Sequence, residues 1–202
     1  MRRGFAALLG AVLLVTTGCT LTDRAGAAVV VDGSRYTTEQ LATDFRALDR
    51  ALGQQQKPGT MDQVNRAIIS IFISKALMEK AIAAEDLTVD KAAVSTLRKS
   101  LEDQLGGADK LEAFAATRGV PPSMIWTVLK NSVFQTELGA KLIGGTDTDA
   151  QSKAALQYLQ QLSKTMTIDV APRYGKWDPS QLAANTPADD LSVAAATAAP
   201  QQ

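Results

Sequence analysis

Between Thr60 and Glu85 the chain runs without a single glycine or proline, and the middle of that stretch, Ile68-Ile-Ser-Ile-Phe-Ile73, is apolar nearly all round. A six-residue apolar run can be a strand, but the unbroken length around it predicts a helix. Thr60-x-x-Gln63 supplies its start, with threonine capping the first free amides and glutamine reaching back. A helix apolar on every face must be covered on most sides, or leave one side to a ligand. The rest of the chain therefore has to wrap this segment.

The flanking sequence offers helices to do so. Thr37-x-x-Gln40 repeats the capping pattern, and Leu41, Phe45, Leu48 and Leu52 follow at helical spacing before Gly53. Leu87-Thr-Val-Asp90 opens another helix with Val94, Leu97, Leu101 and Leu105 as its stripe, stopped by Gly106-Gly107. A shorter helix from Ala108 carries Leu111 and Phe114 and ends at Gly119. Val120-Pro-Pro-Ser123 starts the next, because proline is tolerated in a first helical turn. That helix reaches about Ile143, with Ile125, Val128 or Leu129, Leu138 and Leu142 as core candidates. Gly144-Gly145 ends it, and Thr148-x-x-Gln151 opens a last helix bearing Leu156, Leu159 and Leu162.

Two β-like runs stand at opposite ends. Ala28-Val-Val-Val31 leads into Asp32-Gly33, a strand with a tight turn behind it, and Thr167-Ile-Asp-Val170 follows the last helix. An isolated strand leaves its amides and carbonyls unsatisfied, so these two are expected to pair. The expected fold is mainly α, about six helices closed by a small two-stranded sheet joining the N- and C-terminal segments. Val30, Ile168, Pro172, Arg173, Tyr174 and Trp177 form the expected closure. Pro172 stops the ladder, Arg173 pairs with a carboxylate or carbonyl, and Gly175 permits the turn that returns Trp177 to the helices. Residues 184–202 are Ala, Pro, Thr, Asp and Gln for the most part, a composition expected to form a disordered tail.

The N-terminus reads as an address. Arg2-Arg3 precede an apolar run of about eleven residues, the length of a signal-peptide core and short of the roughly 17–25 a spanning helix needs. Val15-Thr-Thr-Gly-Cys19 then resembles a bacterial lipobox, although Thr16 stands where an aliphatic residue is usual. The resemblance implies cleavage after Gly18 and acylation of Cys19 with palmitate-type chains, leaving a leader of residues 1–18 and a spacer of 19–27. The alternative is an ordinary secreted protein with Cys19 beside its cleavage site. Export through the general route is expected, with Arg2-Arg3 hinting at the twin-arginine one. Loss of the leader leaves 19 basic residues against 21 acidic ones, so attachment to a membrane would fall to the lipid rather than to a basic patch.

In the domain of residues 28–183, the order Ala-Val-Val-Val-Asp-Gly, a Thr-capped helix, the long apolar helix, Leu87-Thr-Val-Asp-Lys-Ala-Ala-Val94, Gly-Val-Pro-Pro-Ser and Ile168-Asp-Val-Ala-Pro-Arg-Tyr-Gly-Lys-Trp-Asp178 resembles the SurA-like N-terminal chaperone domain family. That family is related to the lipoprotein foldase PrsA and resembles trigger-factor peptide-binding domains, and these stretches look like its actinobacterial lipoprotein branch. The resemblance implies binding of unfolded or nascent exported proteins at the extracytoplasmic face of the cell membrane. Many members insert a parvulin prolyl isomerase domain before the closing segment. Here only Gly144 to Asp147 lie in that gap, too few for a domain, so no isomerase activity is expected.

Composition narrows the chemistry. The chain of 202 residues holds no histidine, removing the commonest general base and the commonest metal ligand. Cys19 is its one cysteine, and 21 basic residues balance 21 acidic ones without a basic stripe. No catalysis, metal, cofactor or nucleic-acid partner is expected. Phe72, Met124, Trp126 and Phe134 are the candidate peptide-binding side chains, with Met78 beside them; the alternative for each is plain core. Glu102-Asp103 and Asp189-Asp190 read as a solvated helix face and tail. The functional expectation is a holdase, with an adaptor for one specific envelope partner as the alternative.

Overall fold

The computed structural model describes residues 25–186. The leader, the Gly18–Cys19 junction, most of the spacer, and residues 187–202 with Asp189-Asp190 lie outside the described residues.

Six α-helices carry the fold: α1 (Thr38–Leu52), α2 (Met61–Ala84), α3 (Lys91–Leu105), α4 (Ala108–Ala116), α5 (Ile125–Ile143) and α6 (Thr148–Lys164). Both capping boxes form as the spacing requires. The Gln40 amide donates to Thr37 Oγ1 at 3.1 Å, and the Gln63 amide to Thr60 Oγ1 at 3.3 Å. Asp90 caps α3 through the Ala92 amide at 2.8 Å. At α6 the cap is Asp147 rather than Thr148, since its carboxylate accepts from the amides of Asp149 and Ala150. Pro122–Met124 form a 3-10 turn that leads into α5.

The strands β1 (Ala27–Val31) and β3 (Ile168–Val170) pair antiparallel, with Val29 opposite Val170 and Val31 opposite Ile168. The sheet has three strands, however, not two. Asp32 and Gly33 both take positive φ, 44° and 84°, the geometry of a two-residue hairpin turn. The chain folds back there as β2 (Ser34–Thr37), so β1 lies in the middle. One more bond, from the Ala171 amide to Ala28 O, extends the β1–β3 ladder before Pro172, which has no N–H to continue it.

A second correction concerns the tail. Ala183–Asn185 form a strand, β5, paired with β4 (Lys176–Asp178). The order expected to be lost from residue 184 therefore extends at least to Asn185. Alanine and asparagine are poor strand formers, and three outside contacts set this strand instead. Ala184 is buried, its amide donates to Ser70 Oγ at 2.9 Å, and the Asn185 side-chain amide donates to Asp178 at 3.1 Å. Gly175 is required where this strand crosses, because a Cβ there would sit 1.8 Å from Asn185 O.

Two hydrophobic clusters make the core, and α2 runs through both. The first gathers Val29 and Val31, Tyr36, Leu41, Leu48, Leu52, the Ile68–Ile73 part of α2, and Tyr174 and Trp177. The second gathers Met78 and Ala81 of α2 with Val94, Leu111, Ile125, Leu129, Phe134, Leu138, Ala155 and Leu159. α5 and α6 approach until a Cβ on Gly139 would meet Gln151 O at 2.5 Å. The buried Gln151 side chain donates to the carbonyls of Gly144 and Gly145, tying down the short connection between them.

Several expected core positions face outward. Leu156 is exposed because the buried stripe of α6 runs Gln151, Ala155, Leu159 and Ser163. Phe114 is also exposed, with the Arg118 guanidinium 3.5 Å above its ring. In α3 only Val94 is fully buried, and Leu97, Leu101 and Leu105 are half-buried.

The closure divides in the same way. Tyr174 and Trp177 are buried, with Trp177 Nε1 donating to Ser163 Oγ at 2.7 Å. Val30 and Ile168 are half-buried, and Pro172 and Arg173 are exposed. Arg173 stacks on Tyr174 and donates to the Thr38 hydroxyl at 2.8 Å, where a carboxylate or carbonyl was expected.

Candidate peptide-binding cleft

One face of α2 stays open. Gln63, Arg66, Ala67, Ser70, Ile71, Ser74 and Lys75 recur at three- and four-residue intervals, so they share a stripe opposite the buried Ile68, Ile69 and Ile73. Thr127, Val128 and Asn131 of α5 form a second wall. Arg118 and Val120, between α4 and α5, and Ala183 and Ala184 of β5 complete the lining. The open cleft measures about 490 Å³, within the roughly 300–1,000 Å³ of ordinary ligand sites.

Its chemistry is graded. Ala67, Ile71, Val120, Val128, Ala183 and Ala184 give an apolar floor. Gln63, Ser74, Thr127 and Asn131 bring hydrogen-bonding groups to it. Arg66, Lys75 and Arg118 make the charge of the lining wholly positive, with no carboxylate among the residues that form it. Lys75 is 3.6 Å from Glu79 on the exposed side of α2. Among the described residues neither Arg66 nor Arg118 forms an ion pair.

The β5 wall is fixed by one hydroxyl. Ser70 Oγ donates to Arg66 O at 2.8 Å and accepts the Ala184 amide at 2.9 Å. The serine satisfies a strand amide that has no partner in the β4 ladder, and it seats β5 on α2. Ser70 is thereby committed to backbone contacts, and the cleft offers it no general base. What the arrangement suits is reversible binding of a short extended segment through apolar side chains, backbone polar groups and an acidic substituent.

The four side chains nominated from sequence are not brought together here. Phe134 is fully buried in the second cluster and is core. Phe72 stacks on Tyr36 with ring centroids 4.9 Å apart and packs on the first cluster. Met124 is half-buried against that same cluster. Trp126 is exposed, yet its neighbours Thr127 and Val128 are the residues that reach the cleft. Met78 is buried. The lining holds no aromatic or methionine side chain; its apolar part is made of small and branched residues. A usable signal was present: Ala67, Ser70 and Ser74 interrupt the apolar surface of α2 on one face only.

Outside the cleft, the titratable groups with displaced pKa values hold the fold together. Lys80 and the Thr167 amide bond the Asp32 carboxylate and keep its pKa below the ordinary value. Ser180 does the same for Asp178, in the turn between β4 and β5. Burial and the Asp44 carboxylate push Tyr36 upward, and burial followed by Glu85 raises Tyr158 to about 12. Glu102 and Asp103 pair with Arg98 and Lys99 along the outer face of α3. Among the described residues no helix is long and apolar enough to cross a membrane.

Comparison of the chain with protein-family models, curated proteins and solved structures finds no match.

Proposed function

We propose that the protein is a lipid-anchored, extracytoplasmic holdase that binds extended segments of exported proteins in the cleft between α2, α5 and β5. The observation that carries this reading is the cleft itself: an apolar floor, hydrogen-bonding groups along it, positive charge at its edge and no nucleophile–base pair. Such a site suits loose, sequence-tolerant capture rather than covalent chemistry. A volume of about 490 Å³ takes a few side chains of an unfolded chain, not the face of a folded partner. The leader, the lipobox-like Gly18-Cys19 and the resemblance to SurA-like domains add the anchor and the location to this proposal.

Light scattering of a refolding client tests it. A soluble chain of residues 20–186, which retains every described element, suppresses aggregation at near-stoichiometric ratio. The variants Ile71→Asp and Val128→Asp, with charges placed on the cleft floor, lose most of that effect while keeping wild-type circular dichroism. No suppression by the wild-type chain would remove the holdase reading. Affinity capture that returns one stoichiometric envelope protein in place of many would make the protein an adaptor.

A further inference from the structure

The last described residues form a wall of the cleft, and the sequence continues from there. We propose that the chain's own segment 187–202 docks in the α2–α5–β5 cleft and competes with external segments for it. The inference takes the cleft as a peptide-binding site from the reading above, and adds its regulation in cis.

Three observations support this occupant. The first is position: Ala183 and Ala184 line the cleft, so the following residues leave from its edge. Ser70 and Gly175 hold β5 in that place, one through the Ala184 amide and the other through close approach to Asn185 O. The second is reach. From Asn185, the last residue of β5, to Asp190 an extended chain spans at most about 18 Å, and Asn185 O and the Arg66 side chain both lie beside Gly175, so the acidic pair reaches the cleft without moving β5.

The third is complementarity. Arg66 and Arg118 edge the cleft with no ion pair among the described residues, and no carboxylate lines it. The segment beyond Thr186 carries two carboxylates, Asp189 and Asp190, and no lysine or arginine. Leu191, Val193 and a run of alanines follow, small apolar groups that fit a floor of Ala67, Ile71, Val120 and Val128. The positive side chains match the acidic pair, and the apolar lining matches the apolar run.

Tethering makes even weak docking effective. A short flexible linker holds its end at an effective concentration on the order of 1 mM. A segment that binds in trans with a dissociation constant of about 0.1 mM would therefore weaken a competitor about ten-fold when attached.

The test uses a fluorescent peptide of residues 187–202 titrated by anisotropy into chains 20–202 and 20–186. The chain ending at Thr186 is expected to bind the peptide saturably, and the chain to Gln202 about ten-fold more weakly. In the longer chain, Asp189→Lys with Asp190→Lys restores the affinity of the shorter one. In the shorter chain, Arg66→Glu with Arg118→Glu removes it. Equal affinity of the two chains, no binding by the shorter one, or no effect of the Asp pair overturns the proposal. Client light scattering separates this result from the holdase reading. Suppression by chain 20–186 that cannot bind the peptide leaves the holdase and removes the tail. Peptide binding without client suppression does the reverse.

Discussion

Asp32 joins three parts of the molecule with one side chain and one amide. Its amide donates to Thr167 O at 2.9 Å, its Oδ1 accepts the Thr167 amide at 2.8 Å, and its Oδ2 accepts Lys80 Nζ at 2.8 Å. The hairpin turn, the start of β3 and α2 are thus tied at one residue. Because these partners hold its pKa below the ordinary 3.8, the folded state resists protonation more than the unfolded chain. The stabilisation is complete above about pH 4 and is lost as the pH falls through the folded value. Asparagine also tolerates positive φ, so Asp32→Asn isolates the charge. Its melting temperature should lie below wild type near about pH 7 and approach it near about pH 3; a gap independent of pH would contradict this role. Trp177 makes the complementary apolar case. With its ring in the first cluster and its Nε1 on Ser163, Trp177→Ala should cost about 3–5 kcal/mol in denaturant unfolding, whereas a curve matching wild type would refute the closure.

At the scale of elements, the six helices were legible because each carries its own signal. Thr37, Thr60 and Asp90 cap α1, α2 and α3 where local chemistry places them, and Gly53, Gly106 and Gly144 end α1, α3 and α5. The pairing of β1 with β3 followed from the need to satisfy two separated strands. Strand β2 carries little signal of its own, because Thr37 also caps α1 and only Ser34-Arg-Tyr precede it. Strand β5 was missed because nothing in Ala-Ala-Asn favours extended structure; tertiary contacts to Ser70 and Asp178 decide it. The cleft is not legible in the sequence for a related reason: it needs α2, α5 and β5 together, and Ala-Ala-Asn gives no sign of β5. These contacts make a prediction about length. A chain ending at Thr186 keeps every described element and should unfold close to one ending at Gln202, lower only by the docking of the tail, about 1.4 kcal/mol for a ten-fold effect. One ending at Leu182 loses β5, uncovers part of the first cluster and should melt well below both; equal melting of all three would show that β5 is not part of the fold.

Across the whole molecule, α2 is the organising element. Its N-terminal half packs under the sheet and its C-terminal half among α3, α5 and α6, while one stripe remains open to the cleft. Its sequence allowed either cover on most sides or one side serving a ligand, and α2 is covered on most sides with one stripe open. The proposed holdase follows from that open side, and the measurement that tests it most directly is residue-level mapping. Amide chemical shifts of chain 20–186 would be recorded while a permanently unfolded, reduced and carboxymethylated protein is added. Binding in the cleft predicts shifts concentrated at Ala67, Ile71, Val128 and Ala184, which weaken in Ile71→Asp. Shifts centred instead on Trp126 and Phe114, or none at all at saturating client, would contradict it.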